Sequence, residues 1–263
     1  MELIFKDYNY NNELITFTIS SNKITGITGT DKEKLLDIII NPQNYKNHIF
    51  INDKELTKDN IKTYKKKVIV LEEKLQTLNY IENVYQLMLY QISNKNLSLK
   101  NADKKITDSL KIVGLNASLL ERNINTLSTS EKKLLTLAVS LISNPEIIII
   151  KEPFKDYDLK TEKKIMLLFQ KIKEQYQKTI VFMSDDSNML YKYTDELLIF
   201  HKDKLIITGE TKELYQRVDF LKRNKIFIPE IVEITYLAKK KKKVKIDYHK
   251  DIRDIIKDIY KHV

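Results

Sequence analysis

The chain has 263 residues, of which 42% are hydrophobic, enough for one large α/β domain with an appendage and too many for a disordered chain. The absence of cysteine excludes a disulfide scaffold, a cysteine-ligated metal site and thiol catalysis, and favours a cytoplasmic location. The formal net charge of +10 reflects a lysine-rich chain without an RNA- or DNA-binding motif, so we expect no nucleic acid partner.

The first part of the chain predicts β-strands. Short apolar or alternating runs, separated by asparagine-rich turns, occupy residues 2–8, 13–19 and 23–28. A helix is predicted to open near Asp31, and the run Lys66–Leu71 predicts a further strand. No stretch approaches 18 consecutive apolar residues, so we expect no membrane-spanning segment.

Helical periodicity follows from about Ile81 to Leu141, with breaks near Asn94–Asn101 and Gly114–Asn125. This pattern predicts an inserted helical region. The continuous apolar run Pro145–Pro153 is typical of a strand buried on both faces in a parallel sheet.

Strands and helices alternate after that run. A helix is predicted at Leu159–Tyr176, and strands at residues 178–184, 195–201 and 204–209. Such alternation predicts a parallel sheet with packed helices. From about Tyr215 onward the chain is predicted to be helical.

The stretch "GITGTDKE" is nearly a phosphate-binding loop. The pattern G-x-x-x-x-G-K-[ST] is met at Gly26 and Lys32, whereas Asp31 replaces its last glycine and Glu33 its hydroxyl residue. Further along, four segments follow in a fixed order: "VIVLEEK", "LSTSEKKLLTLAVSLISNPEIIIIKEP", "DYDLKTEKK" and "IVFMSDDSNMLYKYTDELLIFHKDKLIITGETKELY".

Together these five segments resemble the ATP-binding subunit of ABC transporters over roughly residues 2–215. The tail resembles the C-terminal extension of energy-coupling-factor (ECF) transporter ATPases. The resemblance implies an α/β P-loop NTPase fold with a RecA-like parallel-sheet core, an antiparallel β subdomain and a helical insertion at about 76–142. It also implies a small helical extension at 216–263.

The resemblance also implies site roles. Tyr10, with Tyr8 as the alternative, matches the aromatic residue that stacks on adenine. The positions expected around the nucleotide are Tyr10, Gly26, Gly29, Asp31, Lys32, Glu33 and Lys151. The signature helix that faces a partner subunit's site begins with Ser128, Thr129, Ser130 and Glu131.

Most of the catalytic positions are changed. Glu72 stands where the family has the Q-loop glutamine, Lys151 replaces the Walker B aspartate and Asp185 replaces the switch histidine. Only Lys32, the general-base position Glu152 and the D-loop Asp158 keep the family's residues.

These changes predict a disabled hydrolytic site. A carboxylate at Asp31, about 4 Å from a phosphate charge, costs roughly 4 kcal/mol at the effective dielectric near a protein surface. Lys151 puts an ammonium where magnesium needs an oxygen ligand. Both Thr30–Glu33 and Ser128–Glu131 have the S/T-x-x-E pattern of a capping box. We also expect Lys151 to pair with a nearby carboxylate in the pocket.

The sequence therefore favours a pseudo-ATPase subunit of an ECF-type transporter. Its implied partners are a second ABC ATPase subunit, in a homo- or heterodimer, and a transmembrane subunit docked near Glu72–Tyr90, with the chain peripheral at the inner face of the cell membrane. The alternatives are a divergent active ATPase using Lys32 and Glu152, or a free-standing regulator that binds polyanions. Four histidines lack metal-ligand spacing, so no metal site is expected, and ATP and Mg are cofactors only of an active site.

Overall fold

The computed structural model describes residues 1–42, 46, 48–71, 81–155, 157–242 and 246–261. The chain divides into two compact units. The first unit consists of residues 1–56, 152–156 and 179–263, and the second of residues 57–151 and 157–178. Each unit is thus assembled from separate stretches of chain. The predicted extension at 216–263 and the predicted insertion at about 76–142 stay predictions.

The strands follow one another along the chain as β1 (Leu3–Tyr10), β2 (Glu13–Ile19), β3 (Ile24–Thr28), β4 (Ile49–Ile51), β5 (Lys54–Glu55), β6 (Val68–Val70), β7 (Ile147–Lys151), β8 (Thr179–Met183), β9 (Glu196–His201) and β10 (Lys204–Glu210). The helices are α1 (Lys32–Ile40), α2 (Ile61–Lys67), α3 (Val84–Asn94), α4 (Ala102–Val113), α5 (Thr129–Leu141), α6 (Leu159–Gln175), α7 (Ser187–Tyr193), α8 (Thr211–Gln216), α9 (Val218–Arg223), α10 (Glu230–Lys242) and α11 (Ile252–Lys261).

The first unit contains two strand arrangements. In the antiparallel sheet the order is β2, β1, β4 and β5, and Phe5 lies opposite Phe17 with the two rings stacked at 4.4 Å. In the second arrangement β3 pairs in parallel with β8 on one side and with β9 on the other, and β10 is antiparallel to β9. All five residues of β3 and of β8 are buried, as expected for strands covered on both faces.

The hairpin between β9 and β10 is tight. Its two connecting residues, Lys202 and Asp203, have φ values of 52° and 61°. Positive φ at both central residues is the requirement of a type I′ turn. The hairpin contacts the phosphate loop, because the backbone N–H of Asp203 donates to the carboxylate of Asp31.

The second unit contains most of the predicted helical region. Helix α3 ends at Asn94, α4 ends at Val113 with a left-handed Gly114 as its C-cap, and α5 begins at Thr129, so the predicted breaks are confirmed. Strands β6 and β7 pair in parallel, which confirms the buried parallel strand predicted before Pro153.

Strands β4 and β5 and helix α2 are among the described elements that the sequence patterns missed. Strands β4 and β5 are too short for a periodic signal, with three and two residues. Helix α2 consists largely of lysine and has Tyr64 as its buried residue, so it lacks the apolar stripe by which an amphipathic helix is detected. The strand predicted at Lys66–Leu71 is correspondingly shorter, because Lys66 and Lys67 belong to α2.

Candidate nucleotide-binding site

The phosphate loop connects β3 to α1 and depends on close backbone packing. Gly29 has a φ of 109°, and a Cβ atom there would lie 2.1 Å from the carbonyl oxygen of Phe200. Gly26 lies within β3, where a Cβ atom would lie 2.9 Å from Leu197. The two glycines are therefore required to seat the loop against β9.

Asp31 turns toward the β9–β10 hairpin. Its carboxylate accepts hydrogen bonds from the Thr30 hydroxyl and from the backbone N–H of Asp203, and pairs with Lys34 at 3.0 Å. Chiefly because of the hydrogen bond from Lys34, its pKa is lowered to about 2. The carboxylate that replaces the last glycine of the loop thus has its charge compensated within the first unit.

The capping box predicted at Thr30 and Glu33 is wrong. The N-cap of α1 is Asp31, whose side chain makes no capping hydrogen bond. The Thr30 hydroxyl is instead 2.9 Å from Oδ2 of Asp31 and 2.9 Å from Nδ1 of His201, and Glu33 is exposed. The pattern failed because α1 has Asp31 as its N-cap, one residue later than the pattern assumed, so Glu33 is not the third helical residue.

Lys32 and Asp185 are brought together although 153 positions separate them. Nζ of Lys32 lies 2.5 Å from Oδ2 of Asp185, with the lysine side chain 15% exposed and the aspartate 58% exposed. The neighbouring Asp186 points elsewhere and caps α7 through the N–H of Met189. Lys32, the lysine expected to bind phosphate, is therefore paired with Asp185, the residue at the expected switch position.

Glu152 lies beside this pair in an unusual conformation. Its φ is 42°, and its N–H donates to the carbonyl of Met183 at 2.8 Å. The Ser184 hydroxyl donates to its Oε2 at 2.5 Å, and the N–H of Asp185 donates to its Oε1 at 3.3 Å. The carboxylate at the general-base position is thus held by two donors from the segment after β8.

A cavity of about 230 Å³ lies at the loop. The cavity is lined by residues of the loop, by Asp185 and by residues from two other segments: Thr28, Gly29, Thr30, Lys32, Asp185, His201, Lys225, Ile226 and Phe227. One signal existed for His201, because it ends β9, and ligands in α/β sheets bind at the carboxyl ends of parallel strands. No sequence signal pointed to Lys225–Phe227.

A second, larger cavity of about 820 Å³ lies beside the β1–β2 hairpin and includes Tyr10 in its lining. Tyr10 is half-buried, with its ring edge-on to Phe200 at 5.9 Å. Tyr8 is only 4% exposed and packs edge-on against Phe5 at 5.5 Å. Of the two tyrosines, Tyr10 is therefore the better candidate to stack on a base.

The residues expected at the start of the signature helix belong to the second unit. The capping box at Ser128 is confirmed: its hydroxyl accepts from the N–H of Glu131 at 3.2 Å, and Glu131 accepts from the N–H of Ser128 at 2.8 Å. The pKa of Glu131 is lowered, chiefly by the hydrogen bond from the N–H of Ser128 and then by the Ser128 hydroxyl and by Arg122. Thr129 and Ser130 are exposed.

Two further expected residues lie in the second unit, and one lies outside the described structure. Asp158 caps α6 by accepting from the N–H groups of Lys160 and Thr161, which lowers its pKa. Lys151 ends β7 and is half-buried. Glu72 lies outside the described residues.

The donor set does not fit magnesium. Mg²⁺ requires near-octahedral oxygen ligation, whereas Lys151, at the expected Walker B position, supplies an ammonium. Within the described ranges, no three histidine, aspartate or glutamate side chains come together as a metal-binding group.

The model of the ABC transporter family matches residues 13–155, which is more than half of the chain. The chain belongs to the ABC transporter family. Its likeness to solved structures of ABC ATPases accords with this: it aligns with CbiO1 from Clostridium perfringens at a TM-score of 0.69, with 20% identity, over 89% of this chain and 98% of that one. The fold is therefore that of an ABC-type P-loop NTPase.

Other ABC proteins are similar along most of the chain. The energy-coupling factor transporter ATP-binding protein EcfA3 of Oenococcus oeni is 25% identical, over 99% of this chain and 97% of its own length. The corresponding EcfA2 of Caldanaerobacter subterraneus is 24% identical, over 86% of this chain and 82% of its own. The ATP-binding cassette MJ0796, solved as a dimer with ADP and Pi, aligns at a TM-score of 0.58 with 19% identity, over 80% of this chain and 98% of its own.

No helix in the described part of the chain has both the length and the apolar character needed to cross a membrane.

Proposed function

We propose that the chain is an ATP-binding-cassette subunit of an ECF-type transporter whose own hydrolytic site is disabled and which works beside an intact ATPase subunit. The similarity to EcfA proteins along nearly the whole chain supports the transporter type. The observation that carries the disabled site is the contact of Lys32 with Asp185 at 2.5 Å.

That contact bears directly on phosphate binding. The lysine of a phosphate loop acts by giving its positive charge to the terminal phosphates. In this chain a carboxylate already takes that charge, so a phosphate must displace Asp185 before it gains the same contact. Lys151, at an expected magnesium-ligating position, supplies an ammonium where the metal needs an oxygen ligand, which weakens the usual compensation for phosphate charge.

Asp31 contributes less to the disabled site than its charge alone predicts. The expected repulsion assumed a carboxylate facing the phosphate, whereas Asp31 pairs with Lys34 and accepts from the N–H of Asp203. Its charge is therefore largely compensated locally. The proposal rests on Lys32, Asp185 and Lys151 instead.

The signature helix points to a role at a partner's site. In an ABC dimer each nucleotide lies between the phosphate loop of one subunit and the signature helix of the other, so this chain contributes to two sites. Thr129 and Ser130 are small and exposed, and Glu131 is folded back onto Ser128 and Arg122. The start of α5 can therefore approach a partner's γ-phosphate without presenting an unpaired carboxylate.

The proposed assembly follows from the transporter type. The second ATPase subunit supplies the working phosphate loop, and a transmembrane subunit docks near Glu72–Tyr90, a stretch that lies partly outside the described residues. The extension at 216–263 helps to pair the two ATPase subunits. The chain then sits peripherally at the cytoplasmic face of the cell membrane and holds no metal of its own.

Reconstitution of the complete transporter tests the proposal. We expect Lys32→Ala in this chain to leave ATP turnover almost unchanged, and Ser128→Ala to slow it about 10-fold, or about 1.4 kcal/mol of transition-state contact. Ser128→Thr is the matched control, because it retains both the hydroxyl and the helix cap. A large loss from Lys32→Ala with a silent Ser128→Ala would instead identify this chain's own loop as catalytic.

A further inference from the structure

Arg122 contacts two separate parts of the second unit. Its backbone carbonyl accepts the N–H of Val84, at the start of α3, at 3.2 Å. Its guanidinium donates to Oε1 of Glu131 at 2.7 Å and to the carbonyl of Thr126 at 3.0 Å, on either side of the N-cap of α5. One residue therefore joins the start of α3 to the start of α5.

A short antiparallel bridge fixes the backbone of Arg122. The bridge holds residues 82–84 against residues 122–124, with an N–H to carbonyl bond of 3.2 Å in each direction. The side chains of Val84 and Ile124 in this bridge are 0% and 6% exposed. The guanidinium therefore extends from a backbone that hydrogen bonds and buried neighbours hold in place.

The carboxylate of Glu131 is engaged at both oxygens. Oε1 accepts from Arg122, and Oε2 accepts from the N–H of Ser128 at 2.8 Å and from its hydroxyl at 2.9 Å. Lys133, two positions further on, lies instead over the ring of Tyr157, 3.8 Å from the centroid. Among the described residues, Arg122 is thus the cation that pairs with Glu131.

The place of Glu131 in the helix makes this pairing important. Thr129 and Ser130 lie between Ser128 and Glu131 and are exposed, and in the proposed dimer they face a partner's γ-phosphate. The capping box holds one oxygen of Glu131, so the other depends on Arg122. Without Arg122 the carboxylate keeps an uncompensated negative charge beside the place where a phosphate arrives, and like charges at short range repel.

A guanidinium suits this position better than an ammonium. Its planar fork of N–H donors points in fixed directions, so it serves the carboxylate of Glu131 and the carbonyl of Thr126 together. A lysine would retain the charge but would lack the fixed geometry. Arg122 thus contributes both a charge and an orientation to the start of α5.

We propose that Arg122 is a positioning residue for the partner's catalytic site. It ties the first turn of α5 to the start of α3 and neutralises Glu131, and so makes a signature helix that carries a carboxylate compatible with a partner's γ-phosphate. Arg122 acts through Glu131 and Thr126 and not by contact with the nucleotide. The inference rests on the proposed function in taking the start of α5 to face a partner's phosphate loop.

The test removes the guanidinium and then the charge that it neutralises. In the reconstituted transporter, kcat/KM for Mg-ATP is measured with Arg122→Met, which keeps an unbranched stem, and with Arg122→Met combined with Glu131→Gln. Glutamine retains the capping box without the negative charge. Lys67→Ala is the matched control, because Lys67 forms an ion pair with Glu146 in the same unit at a similar exposure.

We expect Arg122→Met to lower kcat/KM about tenfold and the added Glu131→Gln to restore it to within about threefold of the wild type, because the repelling charge is gone. Arg122→Lys should lose less than about threefold, since its ammonium still neutralises Glu131. Lys67→Ala should leave kcat/KM unchanged. Arg122→Gln, which also lacks the charge, gives the same readout if Arg122→Met does not fold.

Three results would overturn the role of Arg122. They are an unchanged kcat/KM in Arg122→Met while Ser128→Ala slows turnover, a loss that Glu131→Gln does not restore, and an equal loss in Lys67→Ala. A merely structural Arg122 gives the second result, because neutralising Glu131 does not repair a lost anchor. A silent Ser128→Ala would instead reject the proposed function, and the role of Arg122 with it, so the Ser128→Ala reference distinguishes the two failures.

Discussion

The ammonium of Lys32 lies 2.5 Å from the carboxylate of Asp185, so the lysine of the phosphate loop in this ABC protein is paired with a carboxylate from the segment after β8. The pair is not deeply buried, since the aspartate is 58% exposed. Screening by solvent therefore keeps the contact weak enough to exchange. In the proposed disabled site Asp185 competes with phosphate for Lys32, and a single substitution at Asp185 removes this competition.

The first prediction concerns ATP binding. We expect the isolated wild-type chain to bind Mg-ATP more weakly than about 100 μM, near −5.5 kcal/mol, and Asp185→Asn to bind it about tenfold more tightly because Lys32 is released. Titration calorimetry measures both. Asp186→Asn is the matched control, since Asp186 caps α7 instead of contacting Lys32. Magnesium-dependent binding tighter than about 100 μM by the wild type would contradict the disabled site.

The second prediction separates backbone strain from steric clash. Gly29 and Gly114 both have positive φ, but an added Cβ meets the Phe200 carbonyl at 2.1 Å in the first case and nothing within 4 Å in the second. We expect Gly114→Ala to cost about 1 kcal/mol of unfolding free energy through strain alone. Gly29→Ala should cost more than about 4 kcal/mol or prevent folding. Urea denaturation of the two variants measures the difference, and equal losses would refute the packing argument.

The third prediction tests the cap of α5. Ser128→Ala removes a hydroxyl that accepts the N–H of Glu131, and we expect a loss of about 1 kcal/mol of unfolding free energy. Ser128→Thr should lose much less. The comparison also serves as a control for the turnover experiment. If the helix remains folded at the temperature of that experiment, a turnover defect in Ser128→Ala reflects the missing contact and not unfolding.

The fourth prediction is a pH dependence. The pKa of Asp31 is lowered to about 2 by Lys34, so its ion pair stabilises the fold fully above the ordinary aspartate pKa, and this contribution is lost as pH falls from about 4 to about 2. We expect Asp31→Asn to be less stable than the wild type at pH 7 and to show a flatter stability profile across that window. Lys34→Met should shift the acid loss to higher pH. Identical acid profiles for the wild type and Asp31→Asn would show that the pair contributes nothing.

Much of the fold was accessible from sequence because its signals are local. The breaks between α3, α4 and α5 follow from Asn94 and Gly114, and the buried strand before Pro153 follows from its apolar run. The lysine-rich α2 was missed because its formation depends on tertiary packing of Tyr64 and not on periodicity.

Only part of the candidate site could be predicted from the sequence. The motifs named Lys32 and Asp185, but their contact depends on β3 and β8 being adjacent, which no local pattern specifies. The hydrogen bonding of the Asp31 carboxylate depends on Asp203, which lies at the tip of a hairpin about 170 residues later in the sequence. No sequence pattern predicted that Lys225 and Phe227 line the cavity, because residues of any type can line a cavity once the fold brings them close to it.

The division of the chain into interleaved stretches has a consequence for synthesis. Strand β3 is buried on all five residues, yet its neighbours β8 and β9 begin at Thr179 and Glu196. At the usual rate of translation, roughly ten to thirty seconds pass before either neighbour exists. During that interval the phosphate loop lacks the β9–β10 hairpin that it contacts in the folded protein, and β3 lacks both neighbouring strands with which it pairs. The newly made chain is therefore expected to depend on protection from aggregation until its last third has been made.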